Sequence, residues 1–372
     1  MKLCLLPWMH IEADAMGNAK PCCLYEDAVG DFKTDSLKDI WNGEKLVNLR
    51  NDFLVGNKPN GCNKCWHAED AGIKSKRMTD NQKLDSYNFR TLYQSNDIPY
   101  PVYYDLKLGT VCNLKCRTCS TASSFKWEED EIALHGHSLN PNVKSYWISD
   151  EAPIWTEIEK HLAQVAYFDF TGGEPFLIKK HVEILQKCVD KGFANNISIH
   201  YNTNGTIHPT KKLLNIWKRF KHVHVMVSLD GIGEQFEYMR HPAVWKEVEA
   251  TFKFLRQQDY LHTTICYTVS ALNLYYIPEF LEWCDTQNLE WHETYLNTLY
   301  YPTYLSVQAL PPRVYIAIEE KLTDDRCMPF LNMMKSHYNN GFDKFLDTTL
   351  RLDKIRNESF SNTFSELYEI IK

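Results

Sequence analysis

Residues 111–120 read VCNLKCRTCS and place Cys112, Cys116 and Cys119 in the spacing C-x3-C-x2-C, with no fourth cysteine nearby. A structural zinc site needs four ligands in a closed tetrahedron, so three thiols alone would leave such a site incomplete. A 4Fe-4S cluster that is held by only three thiolates keeps one iron open, and that iron can bind a substrate or a cosubstrate. The loop therefore predicts a cluster that takes part in chemistry.

The composition describes a globular protein without a large basic surface. The chain has 372 residues, of which 44% are hydrophobic and 24% are charged, and its formal net charge is −7. This charge argues against a nucleic-acid partner, and we interpret the basic segment 211–221 as a solvated helix face. No apolar run approaches the ~20 residues needed to cross a bilayer, and the N-terminus lacks a signal-peptide cleavage site. We therefore expect a cytoplasmic protein with no membrane partner.

The cysteines concentrate near the N-terminus. Eight of the twelve lie in the first 119 residues. In a reducing compartment such clustering favours metal binding or redox chemistry over disulfides. The other four are scattered, and Cys188 and Cys284 continue apolar helical stripes. We interpret these four as small buried hydrophobic side chains: Cys188, Cys266, Cys284 and Cys327.

From residue 100 onward, apolar and β-branched runs alternate with amphipathic patterns such as the one at 245–258. The predicted strands are 102–108, 165–171, 197–203, 222–229, 263–270 and 289–296. Six strands separated by helices predict an α/β fold of parallel βα units whose strands are buried on both faces. In such folds the chemistry collects in loops beyond the carboxyl ends of the strands.

Four predicted strands end in unusual polar motifs. The three cysteines follow the first strand, Gly172-Gly173-Glu174-Pro175 the second, Asn204 the third, and Ser228 with Asp230 the fourth. Glycines let a ligand approach the backbone closely, and a neighbouring carboxylate can receive an ammonium group. We therefore expect these motifs to converge on one edge of the sheet.

The run CNLKCRTC, the run GGEP and the βα order resemble the radical S-adenosylmethionine (radical SAM) enzymes over residues 100–300. The resemblance implies a partial (β/α)6 TIM-like barrel in which Cys112, Cys116 and Cys119 hold the 4Fe-4S cluster. S-adenosylmethionine would chelate the open iron, with Gly172 to Pro175 near its amino group. An electron donor such as flavodoxin or ferredoxin would reduce the cluster, and cleavage of the cosubstrate would yield a 5′-deoxyadenosyl radical that abstracts hydrogen.

The resemblance also assigns weaker roles. Ser228 and Asp230 match the place where the family contacts the ribose or carboxylate of the cosubstrate, and Asn204 is similarly placed. All three also fit ordinary turn chemistry. Where the family commonly has an aromatic residue before the third cysteine this chain has Thr118, so the usual adenine contact is not implied there.

The first 95 residues contain a second group of cysteines in a segment with few hydrophobic runs, and such a small unit usually needs a metal to stabilise it. The pattern G-x4-C-C, the segment SLKDIWNGEKLVNLR and the closing C-x2-C resemble the SPASM/twitch auxiliary-cluster modules of radical SAM enzymes. The single C-x2-C pair favours the one-cluster twitch version, although such modules normally follow the barrel. The expected ligands are Cys4, Cys22, Cys62 and Cys65, with Cys23 as the alternative to Cys22. A structural zinc ion in the same thiols is the competing interpretation.

We therefore predict three parts: an auxiliary 4Fe-4S module at 1–95, a radical SAM barrel at 100–300 and a helical C-terminal extension at 301–372. The favoured function is radical modification of a peptide or protein, because SPASM/twitch modules are frequent in peptide-modifying members. The alternatives are the same chemistry on a small metabolite or nucleotide, and a non-catalytic zinc or iron-sulfur protein.

Overall fold

The computed structural model describes residues 3–70, 74–85, 100–140, 147 and 152–372. The chain divides into two compact units. Unit 1 comprises Met1–Val111, Ser145–Tyr201 and Pro209–Val223, and unit 2 comprises Cys112–Lys144, Asn202–His208 and His224–Lys372. Within the described ranges, every helix is too short or too polar to traverse a lipid bilayer.

The strands that begin in unit 1 are β1 (His10–Ala13), β2 (Asn18–Lys20), β3 (Gly30–Asp31), β4 (Tyr103–Lys107), β5 (Tyr167–Thr171) and β6 (Ser198–Thr203). They lie side by side in the order β3-β2-β1-β4-β5-β6. Neighbours among β1, β4, β5 and β6 run parallel, whereas β2 and β3 pair antiparallel at the edge. The register sets Glu12 opposite Asp105 and Asp105 opposite Asp169.

Helices cover the apolar face of these strands. They are Leu6–Met9, Leu37–Trp41, Glu44–Leu54, Asn63–Asp70, Lys76–Asp85, Pro153–Lys160, Lys180–Asp190 and Lys211–Trp217. The ring of Phe170 on β5 lies 4.9 Å from the ring of His181 in Lys180–Asp190, and Tyr201 on β6 lies 5.3 Å from Trp217. Burying such large aromatic surfaces against a sheet is the main source of stability in this layer.

In unit 2 three parallel strands follow: β7 (His222–Ser228), whose first two residues still belong to unit 1, then β8 (His262–Val269) and β9 (Thr294–Thr298). The helices are Glu128–His135, Gly233–Met239, Trp245–Arg256, Ile277–Thr286, Tyr315–Lys321, Met328–Ser336, Phe342–Arg356, Phe360–Thr363 and Ser365–Ile371. Tyr267 on β8 packs on Phe280, with 4.5 Å between ring centroids.

The predicted α/β fold of parallel βα units is confirmed. Five of the six predicted strands match β4 to β8 within about two residues. The sixth is shifted, because residues 291–293 form a 3-10 turn and β9 runs over 294–298 instead of 289–296. Strands β1 to β3 were not predicted, since they are only two to four residues long and carry polar residues such as His10 and Glu12.

Candidate active site

The loop that carries Cys112, Cys116 and Cys119, called here the cysteine loop (residues 112–119), lies in unit 2 and gathers its thiols. Cys112 and Cys116 are buried and Cys119 is half-buried. Cys116 and Cys119 share a side-chain hydrogen bond, and the charge of Cys112 acts on Cys119. The backbone N–H of Leu114 donates to Cys112 Sγ over 3.5 Å. The structure therefore brings the three predicted ligands together.

The surroundings of the loop favour a negatively charged sulfur at Cys116 but not at Cys119. The hydrogen bond with Cys119 and the guanidinium of Arg240 lower the pKa of Cys116, although burial opposes the shift. The same hydrogen bond and burial raise the pKa of Cys119. Arg240 Nη1 lies 3.9 Å from Cys116 Sγ. Three thiols beside a buried guanidinium fit an anionic iron-sulfur cluster, since thiolates are its ligands.

Asn204 is placed directly against the cysteine loop. Its Nδ2 donates to Asn113 Oδ1 over 3.0 Å and lies 3.7 Å from Cys112 Sγ. The hydroxyl of Thr206 donates to Asn204 Oδ1 over 2.6 Å. These contacts hold the start of the loop, and the predicted contact of Asn204 with a cosubstrate stays a prediction.

Asp230 is fully buried and forms an ion pair with Arg240, 2.8 Å from Oδ2 to Nη2. Its Oδ1 accepts the backbone N–H of Thr268 over 2.8 Å. Burial raises the pKa of Asp230, although Arg240 and the Thr268 N–H favour its charged form. Ser228 is half-buried at the end of β7, opposite Cys266 on β8. Asp230 thus orients the arginine beside Cys116, and the cosubstrate contacts expected of Ser228 and Asp230 stay predictions.

The turn Gly172 to Pro175 follows β5 in unit 1, and its two glycine positions have no space for a side chain. Gly172 and Gly173 have φ of +72° and +38°, and a Cβ at Gly173 would lie 2.2 Å from the carbonyl oxygen of Val111. The N–H of Glu174 donates to that same oxygen over 2.7 Å. The turn is therefore fixed on the residue that precedes Cys112 in the chain.

Glu174 stabilises the turn that follows it. Its side chain is fully buried, and Oε1 accepts the N–H of Phe176 over 3.2 Å at the start of the 3-10 turn Pro175–Leu177. Pro175 is buried at the first position of that turn. The carboxylate thus shapes the backbone, which leaves the contact with a cosubstrate amino group as a prediction.

The N-terminal cysteines surround a cavity in unit 1. Cys4, Cys22, Cys62 and Cys65 all line it, and its volume is about 310 Å3 including the open mouth. Burial and repulsion from neighbouring thiols raise the pKa of Cys4, and burial and Cys23 raise that of Cys22 to about 12. The four predicted ligands are thus placed around one space.

Cys23 does not line this cavity; its thiol lies near the charges of Lys76, Glu12 and Asp105. Within the described ranges, no three His, Cys, Asp or Glu side chains are placed to hold a single metal ion.

Two family models match parts of the chain. Residues 106–284 match the family model for the radical SAM superfamily. This part of the chain is a radical SAM domain. Residues 4–66 match the SPASM model, an iron-sulfur cluster-binding domain, so the predicted resemblance of the N-terminal segment to a SPASM-type module is confirmed. The two domains imply S-adenosylmethionine and both kinds of iron-sulfur cluster as cofactors.

Solved structures with some likeness to this radical SAM chain include anSMEcpe with bound AdoMet, at 22% identity and TM-score 0.43, covering 67% of this chain and 65% of that one. Another is anSMEcpe with bound AdoMet and Cp18Cys peptide, at 18% identity and TM-score 0.41, covering 62% and 61%. A third is Streptococcus suis SuiB bound to precursor peptide SuiA, at 14% identity and TM-score 0.37, covering 71% and 55%. The radical SAM chain spans less than two thirds of each. A comparison with curated proteins gives no match.

The sheet of unit 1 also has a polar face that the sequence analysis missed. Glu12, Asp105, Asp169 and His200 lie in register across β1, β4, β5 and β6. Lys107 forms an ion pair with Glu12, and His200 Nδ1 lies 2.8 Å from Asp169 Oδ1. The signal was present as period-two alternation, for example Tyr-Asp-Lys at alternate positions of YYDLK.

The pKa values of the two carboxylates at the centre of this face shift in opposite directions. Burial raises the pKa of Glu12 despite the nearby ammonium of Lys107. Burial also opposes ionisation of Asp105, but the nearby imidazole of His10 and the charge of Lys107 outweigh it and lower the pKa of Asp105 to about 2. Neighbouring groups with opposite shifts are typical of sites that bind or exchange protons.

Proposed function

We propose that this radical SAM enzyme modifies a peptide or protein. Cys112, Cys116 and Cys119 would hold a 4Fe-4S cluster, and this cluster would supply the electron for reductive cleavage of S-adenosylmethionine and hence for hydrogen abstraction from the substrate. The observation that carries the proposal is the gathering of three thiols, two buried and one half-buried, beside Arg240. Their loop begins directly after Val111, whose carbonyl oxygen accepts the N–H of Glu174 in the turn Gly172 to Pro175.

The chain's own residues would prepare the cosubstrate site. The glycine backbone of residues 172 and 173 would receive the amino group of S-adenosylmethionine, because no Cβ blocks the approach. Glu174 would keep the turn in shape through its bond to Phe176, and Arg240 would offset negative charge at the cluster. A small electron carrier such as flavodoxin or ferredoxin would supply the electron.

The N-terminal thiols Cys4, Cys22, Cys62 and Cys65 would hold one auxiliary 4Fe-4S cluster. Their placement around one cavity supports this assignment, and Cys23 lies outside the cavity lining. Tyr25 and Phe53 line the same cavity and would limit access of water to the cluster. Shielding of this kind protects a cluster and tunes its potential.

The preference for a peptide substrate rests on the SPASM domain, which is frequent in the peptide-modifying part of the family. The polar sheet face of unit 1 would supply hydrogen-bonding and proton-exchanging groups to such a substrate, because Glu12, Asp105 and Lys107 occupy adjacent strands. A small polar metabolite is the competing substrate class.

The test uses full-length protein reconstituted anaerobically with iron and sulfide. We expect about 8 iron atoms per chain, as two 4Fe-4S clusters require, and formation of 5′-deoxyadenosine from S-adenosylmethionine after reduction. Replacing the three cysteines of the cysteine loop by alanine should abolish that product. The control is Cys188→Ala, a buried cysteine in the helix Lys180–Asp190.

Undiminished cleavage in the triple variant, or zinc without sulfide in the protein, would refute the proposal. The substrate class is tested by incubating the enzyme with peptide and metabolite fractions of a cell grown on deuterated amino acids. Deuterium in 5′-deoxyadenosine with the peptide fraction supports a peptide substrate. Deuterium only with the metabolite fraction would contradict it.

A further inference from the structure

The spacer residues of the cysteine loop include two cations, and both are held by buried carboxylates of unit 2. Lys115 lies between the first two cysteines and Arg117 between the last two. Arg117 is 2% exposed, although an arginine on a loop would ordinarily reach solvent. Its burial therefore requires partners that offset the loss of hydration.

Arg117 is held by the C-terminal segment. Its Nη2 lies 2.5 Å from Asp353 Oδ1 and also pairs with Glu358. Its Nη1 donates to the carbonyl oxygen of Thr349 over 3.4 Å, and the guanidinium lies 3.6 Å from the ring centroid of Tyr238. Two carboxylates and one aromatic face thus surround a cation that stands between two cluster ligands.

Lys115 is tied to the same segment through a shared carboxylate. Its Nζ lies 2.8 Å from Asp130 Oδ1, and Nε of Arg356 donates to Asp130 Oδ2 over 2.8 Å. Arg356 also stacks over Trp127 at 4.7 Å, and Nε1 of Trp127 donates to the carbonyl oxygen of Cys116 over 2.8 Å. The helix Phe342–Arg356 therefore reaches both halves of the cysteine loop.

The loop backbone is fixed at the same two spacers. The N–H of Lys115 donates to the carbonyl oxygen of His241, and that of Arg117 to Met239, both over 2.8 Å. Nδ1 of His241 lies 2.6 Å from Oε1 of Glu358. Glu358 thus contacts the side chain of Arg117 and the ring of His241. The carbonyl oxygen of His241 in turn accepts the backbone N–H of Lys115.

We propose that the C-terminal segment 342–358 is a clamp on the cysteine loop, in which Asp353, Glu358 and Arg356 are positioning residues. The clamp orders the three thiols before iron is present and neutralises the spacer cations next to them. The C-terminal extension would thus help to position the cysteine loop, a role that does not follow from the fold class alone. Its loop-ordering part concerns the protein without a cluster and is independent of the proposed reaction, whereas its effect on the cluster potential rests on the proposed function.

The physical basis is preorganisation. A loop that is already held in the ligand geometry loses less conformational entropy when the thiols bind iron. Charge is the second effect, because positive groups near a cluster raise its reduction potential. Asp353 and Glu358 cancel the charge of Arg117, so removal of either carboxylate charge should move the potential of the adjacent cluster in the positive direction.

The first test measures thiol accessibility in the full chain purified with iron chelated. The variants are Asp353→Asn and Glu358→Gln, which keep the shape of the side chains and remove their charge. Iodoacetamide labelling, located by peptide mass mapping, should be about tenfold faster at Cys112, Cys116 and Cys119, as loss of a charged hydrogen bond at the loop predicts. The matched control is Asp347→Asn on the same helix, whose side chain is 63% exposed and pairs only weakly with Arg351.

The buried cysteines elsewhere report on the rest of the fold. Cys284 and Cys327 should keep their wild-type labelling rates in both variants, because they lie outside the clamp. Equal acceleration at these two cysteines would contradict the proposal, since the carboxylates would then stabilise the whole unit. Rates at the cysteine loop that match those of the Asp347 control would contradict it as well.

The second test measures the reconstituted cluster. The midpoint potential of the cluster in Glu358→Gln, read by electron paramagnetic resonance during redox titration, should shift to a more positive value than in Asp347→Asn. The conservative change Asp353→Glu should restore the wild-type labelling rate and potential. A potential unchanged in Glu358→Gln would overturn the charge-neutralising part of the clamp.

Discussion

Replacing Gly173 by alanine should disrupt the glycine turn, because both the backbone conformation and the space around it exclude a side chain. Its φ of +38° lies in the left-handed region, which costs an L-residue about 1–2 kcal/mol. The new Cβ would lie 2.2 Å from the carbonyl oxygen of Val111, a contact that requires movement of the backbone. That movement would break the hydrogen bond from Glu174, which adds about 1–3 kcal/mol for a buried carbonyl left unpaired.

Gly192→Ala provides the matched control. Gly192 also has a positive φ, +76°, but a Cβ there would meet nothing within 4 Å. The control should therefore lose only the conformational part, about 1–2 kcal/mol, whereas Gly173→Ala should lose about 2–5 kcal/mol. Urea unfolding of the two full-length variants measures this difference.

The link between the turn and function is tested by measuring how tightly S-adenosylmethionine binds to the reconstituted protein. Titration calorimetry gives this affinity. Gly173→Ala should bind at least about tenfold more weakly than wild type, as a loss of about 1.4 kcal/mol predicts. Gly192→Ala should bind normally. Equal stability losses in the two variants, together with unchanged binding in Gly173→Ala, would refute the reasoning.

Three further outcomes are expected. Cys22→Ala should lose the auxiliary cluster signal in Mössbauer or electron paramagnetic resonance spectra while Cys23→Ala keeps it, because only Cys22 lines the cavity; the reverse result would assign the ligand to Cys23. Asp230→Asn should lower the free energy of unfolding by about 3–5 kcal/mol, since it leaves Arg240 as a buried charge without its partner; a urea-unfolding loss below about 1 kcal/mol, typical of an exposed pair, would contradict this. Burial lowers the pKa of His181 from 6.5 to about 4. Above pH 6.5 both states are neutral, and as the pH falls towards 4 the unfolded chain binds a proton that the folded chain refuses, so stability should decline by about 3 kcal/mol over this window. His181→Leu should remove that decline, and an unchanged pH profile of unfolding would count against it.

Several features could be predicted because their signals are local. Each of these signals occupies fewer than about a dozen residues: the cysteine spacing, the glycine run and the apolar alternation of each strand. The polar motifs follow the ends of β4, β5 and β7, as expected. The helix 211–217 carries the basic segment, with Thr210 accepting the N–H of Leu213 over 3.2 Å at its start. Such a start signal can be read from sequence alone.

Other features depend on partners that are distant in sequence. Nothing near Arg117 indicates that its carboxylates stand more than 230 residues later, at Asp353 and Glu358. The polar face of β5 was not predicted, because the strand is dominated by aromatic residues. Asp169 is a single polar residue between Phe168 and Phe170. Ion pairs between distant residues, and single polar residues in an apolar strand, depend on how the chain is folded. A single sequence does not show this directly.

Strand β1 joins the N-terminal module to the rest of unit 1 by backbone pairing. It lies parallel beside β4, with His10 to Ala13 opposite Tyr103 to Leu106, so the module supplies the neighbour of the first barrel strand. A truncated protein that starts near residue 100 would present the bare backbone of β4 to solvent, a surface prone to self-association. Insertions or fusions in this chain should therefore be better tolerated at positions that leave the pairing of β1 with β4 intact.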